Sequence, residues 1–154
     1  MKDRLEKKAH LIVLLVGLLN VAVLPLWQLP IAKATARATG YPLFALGLAI
    51  NLLSLLALKQ GFSGQIEPVT ELVTTGIYAR LRHPMYVSFT ITMLGLDFLL
   101  RSALGILFTI VAFLPSMVWR ARLEEQALGR HFGQAWKDHA ESVPSLLLWD
   151  LRKN

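Results

Sequence analysis

Tyr78, Arg82, His83 and Tyr86 stand within nine residues of one another, in the stretch Gly76-Ile77-Tyr78-Ala79-Arg80-Leu81-Arg82-His83-Pro84-Met85-Tyr86. The stretch runs straight into a long apolar segment, so its ionisable side chains lie where lipid would begin. Such groups are costly there unless they are paired or face a wet cavity, and they mark a functional site by default. A second polar group, Arg120, Glu124 and Glu125, follows the next apolar stretch. Brought together, the two groups would offer donors, acceptors and aromatic surface to a small molecule carrying both charge signs. The same residues could instead neutralise one another and anchor helix ends.

The elements that must position them are apolar. Four runs stand out, roughly His10 to Leu29, Tyr41 to Leu58, Pro84 to Leu100 and Ser102 to Trp119, each near the ~20 residues that cross a bilayer. Inside lipid such runs must be helices. The fold class expected is therefore all-α: a polytopic membrane protein with about four transmembrane helices, the last two a tight hairpin, and an amphipathic cytoplasmic helix at the C-terminus. That last helix is expected from Leu128, Phe132, Ala135 and Trp136, which fall at helical spacing. Pro25 and Pro115 should kink or end their helices, whereas Pro84 suits a first turn. Asp97 and Arg101, four apart, read as a structural ion pair. Asn51 and Ser54 read as inter-helix hydrogen-bonding groups. Trp27, Tyr41, Trp119 and Trp149 read as interface aromatics, and Gly47 and Ala49 as small residues permitting close packing. The first run, preceded by Lys2, Arg4, Lys7 and Lys8, has the flank of a signal peptide, but it exceeds the ~7–15 residues of an h-region and reads as a retained helix.

Orientation follows from the cations. Four Lys and Arg precede the first run, two lie in the 30–40 loop, three between Lys59 and Arg82, one at Arg101 and six from Arg120 onward. Alternate segments thus hold thirteen against three, which by the positive-inside rule puts both termini, the Lys59–Arg82 loop and the site in the cytoplasm.

With 154 residues, 55% of them hydrophobic, and positive mean hydropathy, the chain is too apolar for an ordinary soluble domain and reads as one membrane domain spanning 1–154. The formal charge of +6 lies at the ends of apolar runs, without the stripe or aromatic interleaving that nucleic acid requires. There is no cysteine, hence no thiolate chemistry or disulfide. His10, His83, His131 and His139 lack ligand spacing, so no metal is expected.

Read in order, Leu72-Val73, Gly76-Ile77-Tyr78, Arg82-His83-Pro84-Met85-Tyr86, an apolar hairpin, Glu124-Glu125 with Leu128, and Phe132-Gly133 followed by an aromatic resemble the isoprenylcysteine carboxyl methyltransferases. This is a group of membrane methyltransferases whose relatives include the phospholipid methyltransferases. The likeness covers roughly residues 72–143. It implies an S-adenosylmethionine site at the cytoplasmic bilayer edge, walled by Leu72, Val73, Tyr78, His83, Pro84, Met85 and Tyr86, with Glu124 or Glu125 reaching the cofactor. Arg120 matches the family arginine that faces the methyl acceptor. Ser88 stands where the family often has Gly, Trp136 and His139 replace the usual tyrosines, and the tail Val143-Pro144-Ser145-Leu146-Leu147-Leu148 lacks the family arginine.

Methyl transfer from a sulfonium needs the acceptor held in line rather than a covalent protein nucleophile. A carboxylate acceptor needs no base and could be oriented by Arg120; an amine or thiol would need one, for which His83, Tyr86 or a glutamate is the candidate. The partners implied are membrane lipids and a small lipophilic acceptor. Sterol reductases share the Arg-His-Pro-x-Tyr turn and use NADPH, but Glu124-Glu125 favours the methyltransferase. A non-catalytic membrane module is the remaining alternative.

Overall fold

The structure, a computed structural model, describes residues 2–23, 26–58 and 72–146, with side chains from residue 8 onward. Pro25, the Lys59 end of the loop to Arg82, Trp149 and the Leu147-Leu148 tail lie outside the described residues. Within them every named element is helical: α1 (Lys2–Val23), α2 (Lys33–Leu58), α3 (Pro84–Leu99), α4 (Ala103–Phe108), α5 (Leu114–Phe132) and α6 (Gln134–Ser142). A 3-10 turn at Gly76–Ala79 precedes α3, and a π turn at Thr109–Phe113 joins α4 to α5.

Two helical stretches are long and apolar enough to cross a membrane, Lys33–Leu58 and the continuous run Ala103–Phe132. The 26 residues of α2 extend about 39 Å at 1.5 Å per residue, more than the ~30 Å of hydrocarbon. Only Ala36, Gly40, Gly47 and Ser54 of α2 are buried. Leu46, Leu48, Leu52, Leu53 and Leu56 point outward, as do Leu11, Leu14, Leu15, Leu18 and Leu19 of α1. Water would not tolerate so broad an apolar surface on a monomer.

The burial that does occur is between helices. At Gly47 an added Cβ would strike the backbone of Thr92, and at Gly95 the backbone of Phe44, so α2 and α3 meet main chain to main chain. Asn51 Nδ2 donates across the same seam to Ser88 Oγ at 3.2 Å, while Ser54 turns back to its own helix at Ile50 O. The small residue at Gly47 serves this internal crossing.

Backbone pairs staple both ends of the bundle. At one end, Ala103 N donates to Trp27 O at 2.9 Å and Leu29 N to Arg101 O, linking the α1–α2 connection to the α3–α4 connection. At the other, Arg82 N donates to Pro144 O at 3.0 Å and His83 N to Ser145 O at 3.2 Å. Between these ends a buried chain of side chains crosses three helices. Asn20 Nδ2 donates to Thr109 Oγ1 at 2.5 Å, and Thr109 Oγ1 donates to Asp97 Oδ2 at 2.6 Å.

Several expectations are corrected here. Asp97 and Arg101 do not pair. Helix α3 ends at Leu99, and Arg101 enters the left-handed region with φ +55°, which destroys the i, i+4 geometry. Arg101 donates instead to Gln28 Oε1 at 2.8 Å and Ile31 O at 3.2 Å. Of the kink or end expected at Pro115, the end is absent: the helical run Ala103–Phe132 continues through it. The preceding π turn, in which Leu114 N–H reaches back five residues to Thr109 O, opens the ladder where proline's missing N–H and ring would conflict with it. The first run is not helical to the Leu29 expected, since residues 26–29 lie outside α1, and α2 begins at Lys33 rather than Tyr41. Phe132 and Trp136 belong to separate helices, divided at Gly133 with φ +56°.

Candidate active site

The site is built where the polar turn enters α3. Gly76, with φ +62°, starts the 3-10 turn that carries Tyr78. Pro84 occupies the first turn of α3, so its absent N–H leaves no orphan donor, and Met85 and Tyr86 follow on that turn. Arg82 and His83 are each only 4% exposed. Their backbone donors are satisfied by the 144–145 segment, which leaves both side chains aimed at α5.

There Glu125 receives them. Its Oε1 accepts from Arg82 Nη1 at 2.8 Å, from His83 Nε2 at 3.2 Å and from Ser145 Oγ at 2.9 Å. Burial works to raise the Glu125 carboxyl, but the hydrogen bonds from His83 and Ser145 and the Arg82 charge outweigh it and hold the carboxyl below its ordinary range. The group is therefore a carboxylate at neutral pH, acceptor only, and His83 Nε2 must carry the proton it donates.

Glu124 faces another way. Its Oε2 accepts from Tyr86 Oη at 2.6 Å and lies 3.7 Å from His83 Nδ1, and its side chain keeps 39% exposure against 14% for Glu125. The His83 and Tyr86 rings stack with centroids 5.5 Å apart. Burial, then the Glu124 charge, raises the Tyr78 phenol far above its usual value, so it remains a neutral donor. Burial, then the Arg82 charge, lowers the His139 imidazole, which favours its neutral form.

Tyr78, Arg82, His83, Tyr86, Glu124 and His139 border a cavity of about 430 Å³, within the range of small-molecule sites. Of the residues singled out in the sequence, Leu72, Val73, Tyr78, His83, Met85 and Tyr86 line it from one side and Arg120 and Glu124 from α5. Pro84 and Glu125 do not: Pro84 is fully buried, and Glu125 is engaged behind the wall by Arg82. Apolar Phe132 and Trp136 and the neutral His139 add a wall from α5 and α6. Sequence reasoning left His10, Val13 and Ser145 out of the site. His10 and Val13 of α1 line the cavity; their spacing of three, one helical face, was the available signal. Ser145 carried no signal beyond its place in the tail. Among the described residues no cluster of ligating side chains could hold a metal ion.

The arrangement has an anionic carboxylate and phenols at one part of its wall, a guanidinium at another and apolar surface between. It can hold a zwitterionic or amphiphilic small molecule in a largely dry space. Comparison with known proteins agrees in kind. Protein-S-isoprenylcysteine O-methyltransferase of Schizosaccharomyces pombe is 38% identical over 74 residues, 48% of this chain and 31% of that protein. Protein-S-isoprenylcysteine O-methyltransferase B of Arabidopsis thaliana is 27% identical over 110 residues, 69% of this chain and 56% of that protein. The chain thus spans between about a third and about half of the length of these curated relatives. No solved structure matches. The profile of the phospholipid methyltransferase family matches residues 35–135, from the start of α2 through the site and into α6. Since that match takes in well over half of the sequence and every helix that carries Tyr86, Arg120 and Glu124, the chain belongs to the phospholipid methyltransferase family.

Proposed function

We propose that this protein is an integral membrane methyltransferase that uses S-adenosylmethionine and transfers its methyl group to a small lipophilic acceptor at the cytoplasmic edge of the bilayer. The observation that carries this reading is the meeting of Glu124, Tyr86, His83 and Arg120 around a cavity with mostly apolar walls. Four apolar helical stretches, α1, α2, α3 and α4–α5, cross the membrane as one domain, the last two as a hairpin. Both ends of the chain and the cavity lie on the side that the excess of Lys and Arg assigns to the cytoplasm.

The residues present suit the cofactor. Glu124, half-exposed and turned to the cavity, would take its ammonium; the Tyr78 and Tyr86 hydroxyls would take polar groups; Leu72, Val73 and Met85 would lie against its apolar parts. Bound there, it supplies an electrophilic methyl on a sulfonium. The chain's own task is then positional. Arg82, His83 and Glu125 fix the turn and the start of α3, which fixes Tyr86 and through it Glu124. Arg120 orients an acidic acceptor by charge-assisted hydrogen bonds. The apolar walls exclude water, and the acceptor's tail reaches the site from the bilayer. Should the acceptor carry a proton to be lost, His83 is the group at hand; Tyr86, a phenol that already donates to Glu124, is not.

Equilibrium binding to the detergent-purified protein tests the reading. S-adenosylmethionine and S-adenosylhomocysteine should bind the wild type and weaken by about tenfold or more in Glu124→Gln, the loss of one charge-assisted bond. Selective NADPH binding would move the protein to the reductases, and binding of none of the three would leave the non-catalytic module. Efficient methylation of a prenylated protein would overturn the small-acceptor assignment.

A further inference from the structure

Helix α1 contributes to the cavity, although His10 stands 110 residues from Arg120 in sequence. His10 and Val13, one turn apart, face it, and Arg120 Nη2 lies 3.0 Å from His10 Nε2 and 3.3 Å from Nδ1. This contact is part of a register. Gly17 lies against the Phe113 ring, where an added Cβ would sit 3.5 Å from Cε2, and Asn20 holds Thr109 in the buried chain that ends on Asp97. The three contacts run antiparallel along α1 and the α4–α5 run.

From His10 to Asn20 is ten residues, and from Thr109 to Arg120 is eleven. Ten α-helical residues rise about 15 Å. The opposing run takes one residue more because it contains the π turn, whose wider loop absorbs an extra residue. In an unbroken α-helix that residue would turn Arg120 by about 100° away from His10. The π turn and the Asn20–Thr109–Asp97 chain together therefore bring His10 onto the guanidinium.

We propose that His10 is a positioning residue for the methyl acceptor: it holds Arg120 so that the remaining guanidinium N–H groups face the cavity and grip an acidic amphiphile. This rests on the methyltransferase reading above. A neutral imidazole nitrogen accepts one N–H of Arg120, and the planar guanidinium, with five N–H donors, keeps others for an anionic oxygen. Val13 and Met117 give the adjoining apolar wall along which the acceptor's chain can lie.

The test uses the full chain in detergent, saturated with S-adenosylhomocysteine, and titrates decanoate with methyl decanoate as the uncharged control. The wild type should prefer the acid. His10→Ala should lose about tenfold of that affinity, the worth of one oriented charge-assisted contact, with no change for the ester or for S-adenosylhomocysteine. His10→Gln, whose side-chain oxygen can also accept from Arg120, should recover most of the loss and covers the case in which the alanine variant folds poorly. Equal affinity of the wild type for acid and ester, an unchanged His10→Ala, or a loss shared equally by acid and ester would each overturn the role of His10 alone. A wild type that binds no S-adenosylhomocysteine would overturn the methyltransferase reading, and this role with it.

Discussion

Glu124 and Glu125 are neighbours in sequence, yet their surroundings predict opposite phenotypes for the same conservative change. Glu125→Gln keeps a carbonyl oxygen for His83 and Ser145 but removes the charge opposite Arg82, whose side chain is 1% exposed. Removing one partner of a buried pair costs about 3–5 kcal/mol where the other charge is left buried and uncompensated. Arg82 keeps a further interaction, the variant side chain keeps an acceptor and Glu125 is 14% exposed, which places this case below that range, at about 2 kcal/mol. For a chain of this size that is roughly 6 °C in thermal midpoint. In Glu124→Gln the exposed carboxylate loses only the charge behind its bond to Tyr86, about 1 kcal/mol at most. The assay is thermal unfolding of both variants in one detergent, followed by tryptophan fluorescence, beside S-adenosylhomocysteine binding. Glu125→Gln should be the less stable, and Glu124→Gln the poorer binder. The pH dependence adds a second signature. The fold holds the Glu125 carboxyl below its ordinary value of 4.5, so its stabilising contribution is complete above that pH and is lost as pH falls through the folded value. The Glu125→Gln variant should lack that acid-side decline. A Glu125→Gln protein as stable as the wild type, beside a destabilised Glu124→Gln, would refute the assignment of the two carboxylates.

Three further outcomes are expected. Gly47→Leu should destabilise by about 1–3 kcal/mol or more, since the α2–α3 seam leaves no room for a Cβ, and the folded yield after purification checks it. Thr109→Val, an isosteric change, should cost about 2 kcal/mol or more in unfolding experiments because it strands both Asn20 Nδ2 and Asp97 Oδ2 in the interior. Deletion of Ile110 should convert the π turn to α-helix and, because that turn absorbs one extra residue, leave Arg120 and Glu124 in register, so that S-adenosylhomocysteine binding survives and circular dichroism stays helical; a folded deletion variant that had lost binding would contradict the register argument.

Much of the site was legible because its parts are local. Tyr78, His83 and Tyr86 lie within one nine-residue stretch, and two apolar stretches of similar length return the chain to the level of Glu124, so their meeting follows from helix length alone. Which glutamate faces the cavity was not legible. Both lie on one helix about 100° apart, and the choice depends on Ser145 and Arg82 claiming one of them. The Asp97–Arg101 pair misled because spacing of four means proximity only inside a helix, and the helix stopped two residues early. His10 was hidden for the opposite reason: its partner stands 110 residues away, and the π turn that aligns them leaves no mark in hydrophobic periodicity.

The backbone bonds from Arg82 and His83 to residues 144 and 145 also have a meaning for synthesis. Helices α1 to α5 can form and pack as they emerge, but a nascent chain that has not yet extended to Ser145 lacks the carbonyls that hold the polar turn and the hydroxyl that completes Glu125. The wall of the cavity is thus completed only after translation has passed residue 145, later than the five helices that precede it.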